Sequence, residues 1–479
     1  MTHSTYGSAF VKQVVWIYPI KKDFLRVFLK FLNFKKMLKE ILTTENTQTF
    51  IRDAFKRKMD ALQVSTALAK QNYTNEDRAA IMDYMALVPK FREKFGLKAN
   101  EKGAEFLLCD KLALEQSTAQ DIGHWKGTLW PSGSDAEGKT VHDLCCGMGG
   151  DSFFLPKAFK VVGVDLDENR LAMYNYNNRI MRSADAGGTI LADVREIAKQ
   201  NETAQASHAD YFTIDPARRA VEGENQRDLR NLTPTFEEVL EIARHYKGGM
   251  AKLPPGYPTT EIPKDTEIIY IGGHADCREC LVLFGELAKH PATVRAVIVD
   301  KAGNATAEWN APRDARREIR NESEQQHYEN NLQLEGRDRI YRTASSQSDL
   351  PLGEISKYLS EPAAVLVRSR LFGYVALESD SSAHLISEGI AYVSSESTLP
   401  SLGFTNFEVL DHTEISTSAI RAMLKAHNIG KLTLKLRGVK LDPEAEIKRL
   451  KPKGKNSATL FYTRAAGEKI AILGLAINN

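Results

Sequence analysis

Short β-branched runs alternate with helical stretches between residue 139 and about residue 300. The runs are TVHDL, KVVGVDL, TILAD, DYFTIDP, GMAKLP, EIIYIGG and RAVIVD. This alternation is typical of a doubly wound α/β sheet, because parallel strands need a long crossover connection between them. The last two runs flank CRECLVLFGELAKH, which we predict to be a helix. The sequence thus predicts a doubly wound α/β domain over residues 126–305.

The flanking sequence is long enough for further domains, because 479 residues allow two to four. Residues 45–125 carry apolar residues near the helical period, and Thr74 followed by acidic residues predicts a helix start. Residues 306–350 are polar and predict a linker or insertion. EISKYL and AAVLVRSRLFGYVA then predict helices, followed by strands and helices of a small α+β module that ends near residue 477.

Residues 1–44 form a basic extension with an apolar helical stripe. A membrane-surface helix, a helix docked on the next domain and an upstream extension before Met37 all fit it. The extension lacks the features of a signal peptide, and no apolar run of the chain reaches the roughly 18 residues of a membrane span. Five cysteines are too few for a disulfide framework, so we expect a reducing, cytoplasmic setting.

The most informative segment is a glycine-rich turn, DLCCGMGGDS, after the first strand. Gly147 and Gly149 let the backbone turn tightly and approach a ligand, and a helix predicted over FFLPKAF would offer free N–H groups. About 20 residues on, Asp165 or Glu168 could accept hydrogen bonds from ribose hydroxyls. The spacing therefore predicts a nucleotide-containing cofactor.

Two cofactor classes share this layout. The dinucleotide pattern needs a third glycine, but Ser152 stands there. Asp143 precedes the turn and suits a cationic ligand such as S-adenosylmethionine, which carries an amine and a sulfonium. The residues therefore favour S-adenosylmethionine over a nicotinamide dinucleotide.

The turn followed by VGVDLDENRLAMYNYNN resembles the nucleotide-binding half of class I methyltransferases. The resemblance implies a Rossmann-like fold, with Asp143 at the methionine amine, Asp165 at the ribose and Asp193 at the adenine amine. The resemblance also implies that further residues of these segments bind the cofactor: Cys145, Gly147, Gly149, Asp151, Leu166 and Val194.

IDPARR ends the fourth strand, where nitrogen methyltransferases of this class carry (Asn/Asp/Ser)-Pro-Pro-aromatic. The resemblance implies that Asp215 and Pro216 orient a substrate amine, although Ala217 and Arg218 depart from the motif. We predict Asp215, Pro216 and Arg218 as the catalytic set, with Arg218 or Arg219 meeting a phosphate or a flipped base. Lys252, in KLPPGY on the same rim, belongs either to a substrate-contacting loop or to a plain turn.

Three further segments narrow the resemblance: EQSTAQ, DPARR and a tail that includes LTLKLRGVKLDPEAEIKRLK. They are similar to a group of bacterial methyltransferases with a C-terminal ferredoxin-like segment, here 351–397, and a THUMP-like domain, here 398–479. The core also resembles trimethylguanosine synthases, which methylate guanine N2 in RNA caps. The resemblance therefore implies RNA as the partner.

An excess of basic residues, as RNA binding would favour, occurs in the C-terminal part of the chain and not in the chain as a whole. Residues 401–479 hold 13 basic and 7 acidic residues, whereas the whole chain has a net charge of +2. Arg437, Lys451 and Lys453 belong to a basic stretch that could contact phosphates, or could be an ordinary solvated surface.

Together these observations predict an S-adenosylmethionine-dependent methyltransferase that acts by direct displacement on a base nitrogen of rRNA or tRNA. No metal site is expected, because no second pair of cysteines or histidines accompanies Cys277 and Cys280. The sequence motifs do not predict an oligomeric state. A non-catalytic RNA-binding protein on a methyltransferase scaffold and a methyltransferase of proteins or small molecules remain alternatives.

Overall fold

The computed structural model describes residues 41–97, 107–182, 187–201, 208–218, 229, 231–313 and 350–477. Most of the predicted basic extension and of the predicted linker lies outside these residues, as does Arg219. The helices of the described residues are α1 (Glu45–Lys56), α2 (Ala61–Ala69), α3 (Asn75–Lys94), α4 (Lys111–Gln116), α5 (Gln120–Gly127), α6 (Glu168–Met181), α7 (Val194–Gln200), α8 (Phe236–Ala243), α9 (Ala364–Ser369), α10 (Phe372–Ser379), α11 (Thr417–Ala426) and α12 (Pro443–Leu450).

The strands of the described residues fall into two large sheets and one small pair. They are β1 (Thr140–Leu144), β2 (Lys160–Asp165), β3 (Thr189–Leu191), β4 (Tyr211–Ile214), β5 (Ala217–Arg218), β6 (Leu232–Thr233), β7 (Gly248–Leu253), β8 (Glu267–Gly272), β9 (Glu279–Gly285), β10 (Thr293–Val299), β11 (Ala305–Pro312), β12 (Tyr358–Pro362), β13 (His384–Leu385), β14 (Val393–Ser395), β15 (Phe404–Glu414), β16 (Ile429–Leu436), β17 (Asn456–Ala465) and β18 (Glu468–Ala476). The chain divides into two compact units, of which the first holds α1 to α4, the turn 147–149 and α6.

The first unit is helical, as predicted for most of residues 45–125. Thr74 caps α3 in a reciprocal capping box with Asp77, which confirms the predicted helix start. Buried Asn177 of α6 fixes the turn, because its amide donates to the carbonyl oxygens of Met148 at 3.0 Å and Leu108 at 2.9 Å. Helix α5, at the end of the predicted helical region, belongs to the second unit.

The second unit contains the predicted doubly wound sheet. Its nine strands run in the order β11-β10-β8-β9-β7-β4-β1-β2-β3. Strands β7, β4, β1, β2 and β3 are parallel. From β1 the chain goes to β2 and β3 on one side and then to β4 on the other, so the strand order reverses between β1 and β4. Ligands of such sheets bind at the carboxyl ends of the strands beside that reversal.

The helix predicted over CRECLVLFGELAKH is wrong. Glu279–Gly285 is β9, which pairs antiparallel with both β7 and β8. All but its last residue are buried, so the strand reads as a continuous apolar run without alternation. Such a run does not distinguish a buried strand from a buried helix.

Two further expectations also need correction. FFLPKAF does not form an α-helix after the glycine-rich turn; a short 3-10 turn covers Ser152–Phe154, and Pro156 then excludes a regular helix. The main sheet also runs beyond the predicted domain end at residue 305, because β11 pairs antiparallel with β10.

The C-terminal module is a seven-stranded sheet in the order β13-β14-β12-β15-β18-β17-β16, covered by α11 and α12. EISKYL is not a helix, because its last two residues begin β12. AAVLVRSRLFGYVA forms two helices, α9 and α10, broken at Arg370 in the left-handed conformation. One sheet thus contains strands from both segments that the sequence separates at residue 398.

We predict that Phe461→Ala lowers the free energy of unfolding of this module by about 3–5 kcal/mol. Phe461 of β17 is fully buried, with its ring edge-on to Tyr392 at 5.4 Å and Phe407 at 4.8 Å. Calorimetry of the full chain measures the effect, with Leu475→Ala as the control because Leu475 is 44% exposed. Equal stability of the two variants would contradict a hydrophobic core shared by the strands before and after residue 398.

Candidate active site at the carboxyl edge of the sheet

The glycine-rich turn has the backbone conformation that its sequence predicts. Gly147 and Gly149 have φ values of 55° and 93°, which side chains disfavour. Cys145 has φ 59° without being glycine. This strained backbone follows β1 directly, at the edge where a ligand is expected.

Asp143 lies at the end of β1 and is almost completely buried. Ser152 donates a hydrogen bond to its Oδ2 at 2.5 Å. Burial raises the pKa of Asp143 well above its ordinary value, against the effect of that hydrogen bond. A buried carboxylate of this kind is stabilised by a cationic ligand, which fits its predicted place at the methionine amine.

Asp165 ends β2 and lies opposite Leu191 of β3. Leu166 and Leu191 are 68% and 59% exposed, unusual values for leucines at strand ends. Together they offer a carboxylate for ribose hydroxyls beside two apolar side chains for an adenine ring. The sequence motif predicts Leu166 but not Leu191, although the run TILAD places a leucine two residues before the next acidic residue.

Asp193 and Val194 follow β3 at the start of α7. Asp193 caps the helix by accepting from the Arg195 backbone N–H, and its two oxygens also accept from the Arg195 guanidinium at 2.8 and 2.5 Å. These hydrogen bonds lower the pKa of Asp193 and keep it ionised. A ligand amine at this carboxylate would therefore share it with Arg195.

Five charged side chains meet on the same edge, beside β4, and we call them the rim network. They are Lys126 of α5, Asp151 of the turn, Asp215 after β4, Lys252 of β7 and Glu279 of β9. Lys126 Nζ lies 2.7 Å from Asp151 Oδ1 and 3.0 Å from Glu279 Oε2. Lys252 Nζ lies 2.6 Å from Asp215 Oδ2 and 3.7 Å from Glu279 Oε1. The sequence motifs predict Asp151, Asp215 and Lys252 for separate roles, and they do not point to Lys126 or Glu279.

The rim network opens outwards at one end. The side chains of Lys126 and Glu279 are 6% exposed, whereas those of Lys252 and Asp215 are 17% and 35% exposed. A substrate approaching this edge therefore reaches the Asp215–Lys252 pair first.

The charges of the rim network hold both lysines as ammonium groups. Burial disfavours the ammonium of Lys252, but Asp215, Glu279 and Asp151 outweigh it and raise the pKa. Lys126 behaves in the same way, and despite burial its ammonium holds the pKa of Asp151 at about 2. The network has three carboxyl groups for two ammonium groups. The pKa of Asp215 is accordingly raised, by burial first and by its acidic neighbours.

Glycines and an arginine fix α5 against this edge. A Cβ at Gly123 would stand 2.1 Å from the Phe154 ring, and one at Gly127 would stand 2.5 Å from the Phe154 carbonyl oxygen. The two glycines therefore permit the close approach that brings Lys126 to Asp151. Arg278 donates hydrogen bonds from Nη1 and Nη2 to the two carboxylate oxygens of Asp121, which ties α5 to the start of β9.

The segment after Asp215 is only partly described. Pro216 is buried, and β5 pairs antiparallel with β6 across Ala217 and Thr233. The backbone of Arg218 belongs to β5. The side chain of Arg218 and the whole of Arg219 lie outside the described part of the chain.

The predicted basic residues of the C-terminal module have different surroundings. Arg437 donates to the carbonyl oxygen of Ala391 and to Glu361, and stacks over Tyr392 at 4.7 Å. Lys451 and Lys453, after α12, are exposed. Internal contacts thus occupy Arg437, whereas the two lysines face solvent.

Metal and membrane features are absent from the described part of the chain. No group of His, Cys, Asp and Glu residues there could hold a metal ion, and no helix there is long and apolar enough to cross a membrane. Burial raises the pKa of the Cys145 and Cys146 thiols, which disfavours the thiolate form of both.

Comparisons with known proteins agree with this geometry. The RNA cap guanine-N2 methyltransferase family matches residues 138–226, and the THUMP domain-like family matches residues 404–476. An uncharacterized S-adenosylmethionine-dependent methyltransferase of Mycobacterium tuberculosis is 23% identical over 368 residues, which cover 75% of this chain and 85% of that one. This chain is an S-adenosylmethionine-dependent methyltransferase with a THUMP-like domain.

A solved structure supports the architecture of this methyltransferase. A candidate methyltransferase from Porphyromonas gingivalis W83 superposes with a TM-score of 0.64 at 18% identity, covering 94% of this chain and 98% of that one. This likeness confirms the predicted Rossmann-like fold. The predicted cofactor, S-adenosylmethionine, agrees with the matched family and with Asp143, Asp165 and the turn.

We predict that Asp165→Ala weakens S-adenosylmethionine binding by about 1–3 kcal/mol, because charge-assisted hydrogen bonds to the ribose are lost. Titration calorimetry on the folded variant measures this loss. Asp167→Ala is the control, since the Asp167 side chain caps α6 by accepting from the Asn169 backbone N–H. Unchanged affinity in Asp165→Ala would remove Asp165 from the cofactor site.

We also predict that cofactor affinity rises with pH as Asp143 ionises. Its raised pKa leaves a neutral fraction in the free protein, and only the carboxylate attracts the methionine ammonium. Calorimetry across pH should show a slope that Asp143→Asn abolishes. A slope that persists in Asp143→Asn would assign the titration to another group.

Proposed function

We propose that this methyltransferase acts on RNA, and that the acceptor favoured by its sequence is a base nitrogen of rRNA or tRNA. The observation that carries the proposal is the place of Asp215 and Pro216. They directly follow β4 next to the reversal of strand order, where substrate and cofactor meet in this fold.

The RNA partner rests on two kinds of support. Residues 138–226 match a family of RNA cap guanine-N2 methyltransferases, and residues 404–476 match the THUMP domain-like family. The C-terminal module also exposes Lys448, Lys451, Lys453 and Lys455 at and after the end of α12. A cluster of exposed lysines is what a phosphate backbone requires.

The residues present can align an acceptor for direct displacement. Asp143 and Asp165 would hold the cofactor, which supplies an electrophilic methyl group. The Asp215 carboxylate can accept a hydrogen bond from the N–H group that is to be methylated, and can then take its proton. The raised pKa of Asp215 favours this proton transfer. Proximity and orientation supply the rate, with no covalent intermediate on the chain.

We predict that Asp215→Ala lowers turnover at least about 100-fold, as expected for loss of a general base, and leaves cofactor affinity nearly unchanged. The measurement is methyl transfer to RNA from cells lacking the gene, with calorimetry for the cofactor. Asp210→Ala is a matched control, because Asp210 pairs with Lys247 at the opposite end of β4 and β7. Equal turnover in Asp215→Ala and wild type would contradict the role.

We predict that replacing Lys451, Lys453 and Lys455 with glutamate weakens RNA binding and flattens its salt dependence, because fewer phosphates are neutralised. Filter binding across salt concentrations measures both effects. Cofactor affinity serves as the folding control, since these lysines lie on the separate C-terminal sheet module. Wild-type RNA affinity at physiological salt would leave these lysines as ordinary surface.

A further inference from the structure

The Asp215–Lys252 pair presents a donor and an acceptor together. Lys252 Nζ and Asp215 Oδ2 are 2.6 Å apart, and both side chains reach the outer end of the rim network. Any acceptor atom that contacts Asp215 therefore also comes within reach of an ammonium group. The identity of the acceptor atom must be compatible with both.

The ammonium group of Lys252 suits a hydroxyl oxygen as the nucleophile better than an amine nitrogen. An amine nitrogen has one lone pair, and a hydrogen bond from Lys252 would occupy the pair that must attack the methyl group. A hydroxyl oxygen has two lone pairs and one proton. It can accept from Lys252 with one pair, attack with the other and donate its proton to Asp215.

We propose that the acceptor is a ribose hydroxyl oxygen of RNA and that Lys252 is a catalytic residue that donates a hydrogen bond to it. The inference rests on the proposed action on RNA. It replaces the base nitrogen that the sequence motif favours with a ribose oxygen, because Lys252 stands beside Asp215. In the step, the oxygen–methyl bond forms while the methyl–sulfur bond breaks. The bonding pair returns to sulfur as a neutral thioether, and the hydroxyl proton passes to the Asp215 carboxylate.

The inner part of the rim network keeps Lys252 ready for this task. Glu279 lies 3.7 Å from Lys252 Nζ and is itself held by Lys126 and by a 2.9 Å hydrogen bond from Thr118. With Asp215, this fixed carboxylate stabilises the Lys252 ammonium, whose charge then stabilises the negative charge that develops on the oxygen. Glu279 and Lys126 are thus positioning residues.

The first experiment identifies the methylated atom. RNA from cells lacking the gene is incubated with the full-length protein and methyl-labelled S-adenosylmethionine, and is then hydrolysed with alkali. Methylation of a 2′-hydroxyl protects the adjacent linkage, so we expect label in alkali-resistant dinucleotides and in ribose-methylated nucleosides. Label in mononucleotides with a methylated base would overturn the hydroxyl assignment and leave the action on RNA intact. Absence of label from RNA would overturn both.

A second experiment tests Lys252 itself. Lys252→Met should reduce turnover about 100-fold, the effect of removing one hydrogen-bond donor to a developing oxyanion. Lys247→Met is the matched control, because Lys247 pairs with Asp210 at 2.7 Å at the opposite end of the same strands. Retained cofactor affinity shows that both variants fold. Turnover of Lys252→Met within twofold of the control would overturn the catalytic role.

A modified substrate keeps the proposal testable without any variant of the protein. Once the modified nucleotide is mapped, a synthetic RNA carrying a 2′-deoxy sugar at that position alone removes the oxygen and leaves the base unchanged. We expect no methylation of this RNA. Methylation at the wild-type rate would overturn the proposal.

Discussion

The rim network is the constraint on which the rest of the site depends. A buried charge is tolerated only with partners, and removal of one partner leaves an uncompensated charge. The network draws its members from α5, the turn after β1, the segment after β4, and the strands β7 and β9. Each of these elements must therefore be correctly placed before the five charges can pair with one another. This requirement makes the carboxyl edge of the sheet one connected platform rather than a set of independent loops.

The sheet places this platform next to the predicted cofactor groups. Asp143 is the penultimate residue of β1 and Asp215 follows β4, and these two strands are direct neighbours at the reversal of strand order. One side of the reversal carries carboxylates suited to an amine and to ribose hydroxyls. The other side carries the paired charges of Asp215 and Lys252. The groups proposed for cofactor binding and for acceptor activation thus lie at adjacent strand ends, as direct transfer of a methyl group requires.

Much of this could be predicted from sequence, because short-range patterns carry it. Strand–helix alternation indicated the fold, and the turn with Asp165 beyond it indicated the cofactor. Pairing across the sheet could not be predicted in this way. Glu279 begins a strand that reads like a buried helix, and Lys126 precedes β1 by more than a dozen residues, so neither signalled a shared site. The available signal was a charged residue beside each apolar run, as in MAKLP and RECLVLF.

The most direct test of the account is a crystal structure with S-adenosylhomocysteine bound. An acceptor atom that contacts Lys252 and lies in line with the methyl group places the cofactor sulfur within about 8 Å of Lys252 Nζ. We expect that distance, with the ribose on Asp165 and the amine on Asp143. A sulfur well beyond about 8 Å from the rim network, with the ribose away from Asp165, would contradict the assignment of this edge as the site of methyl transfer.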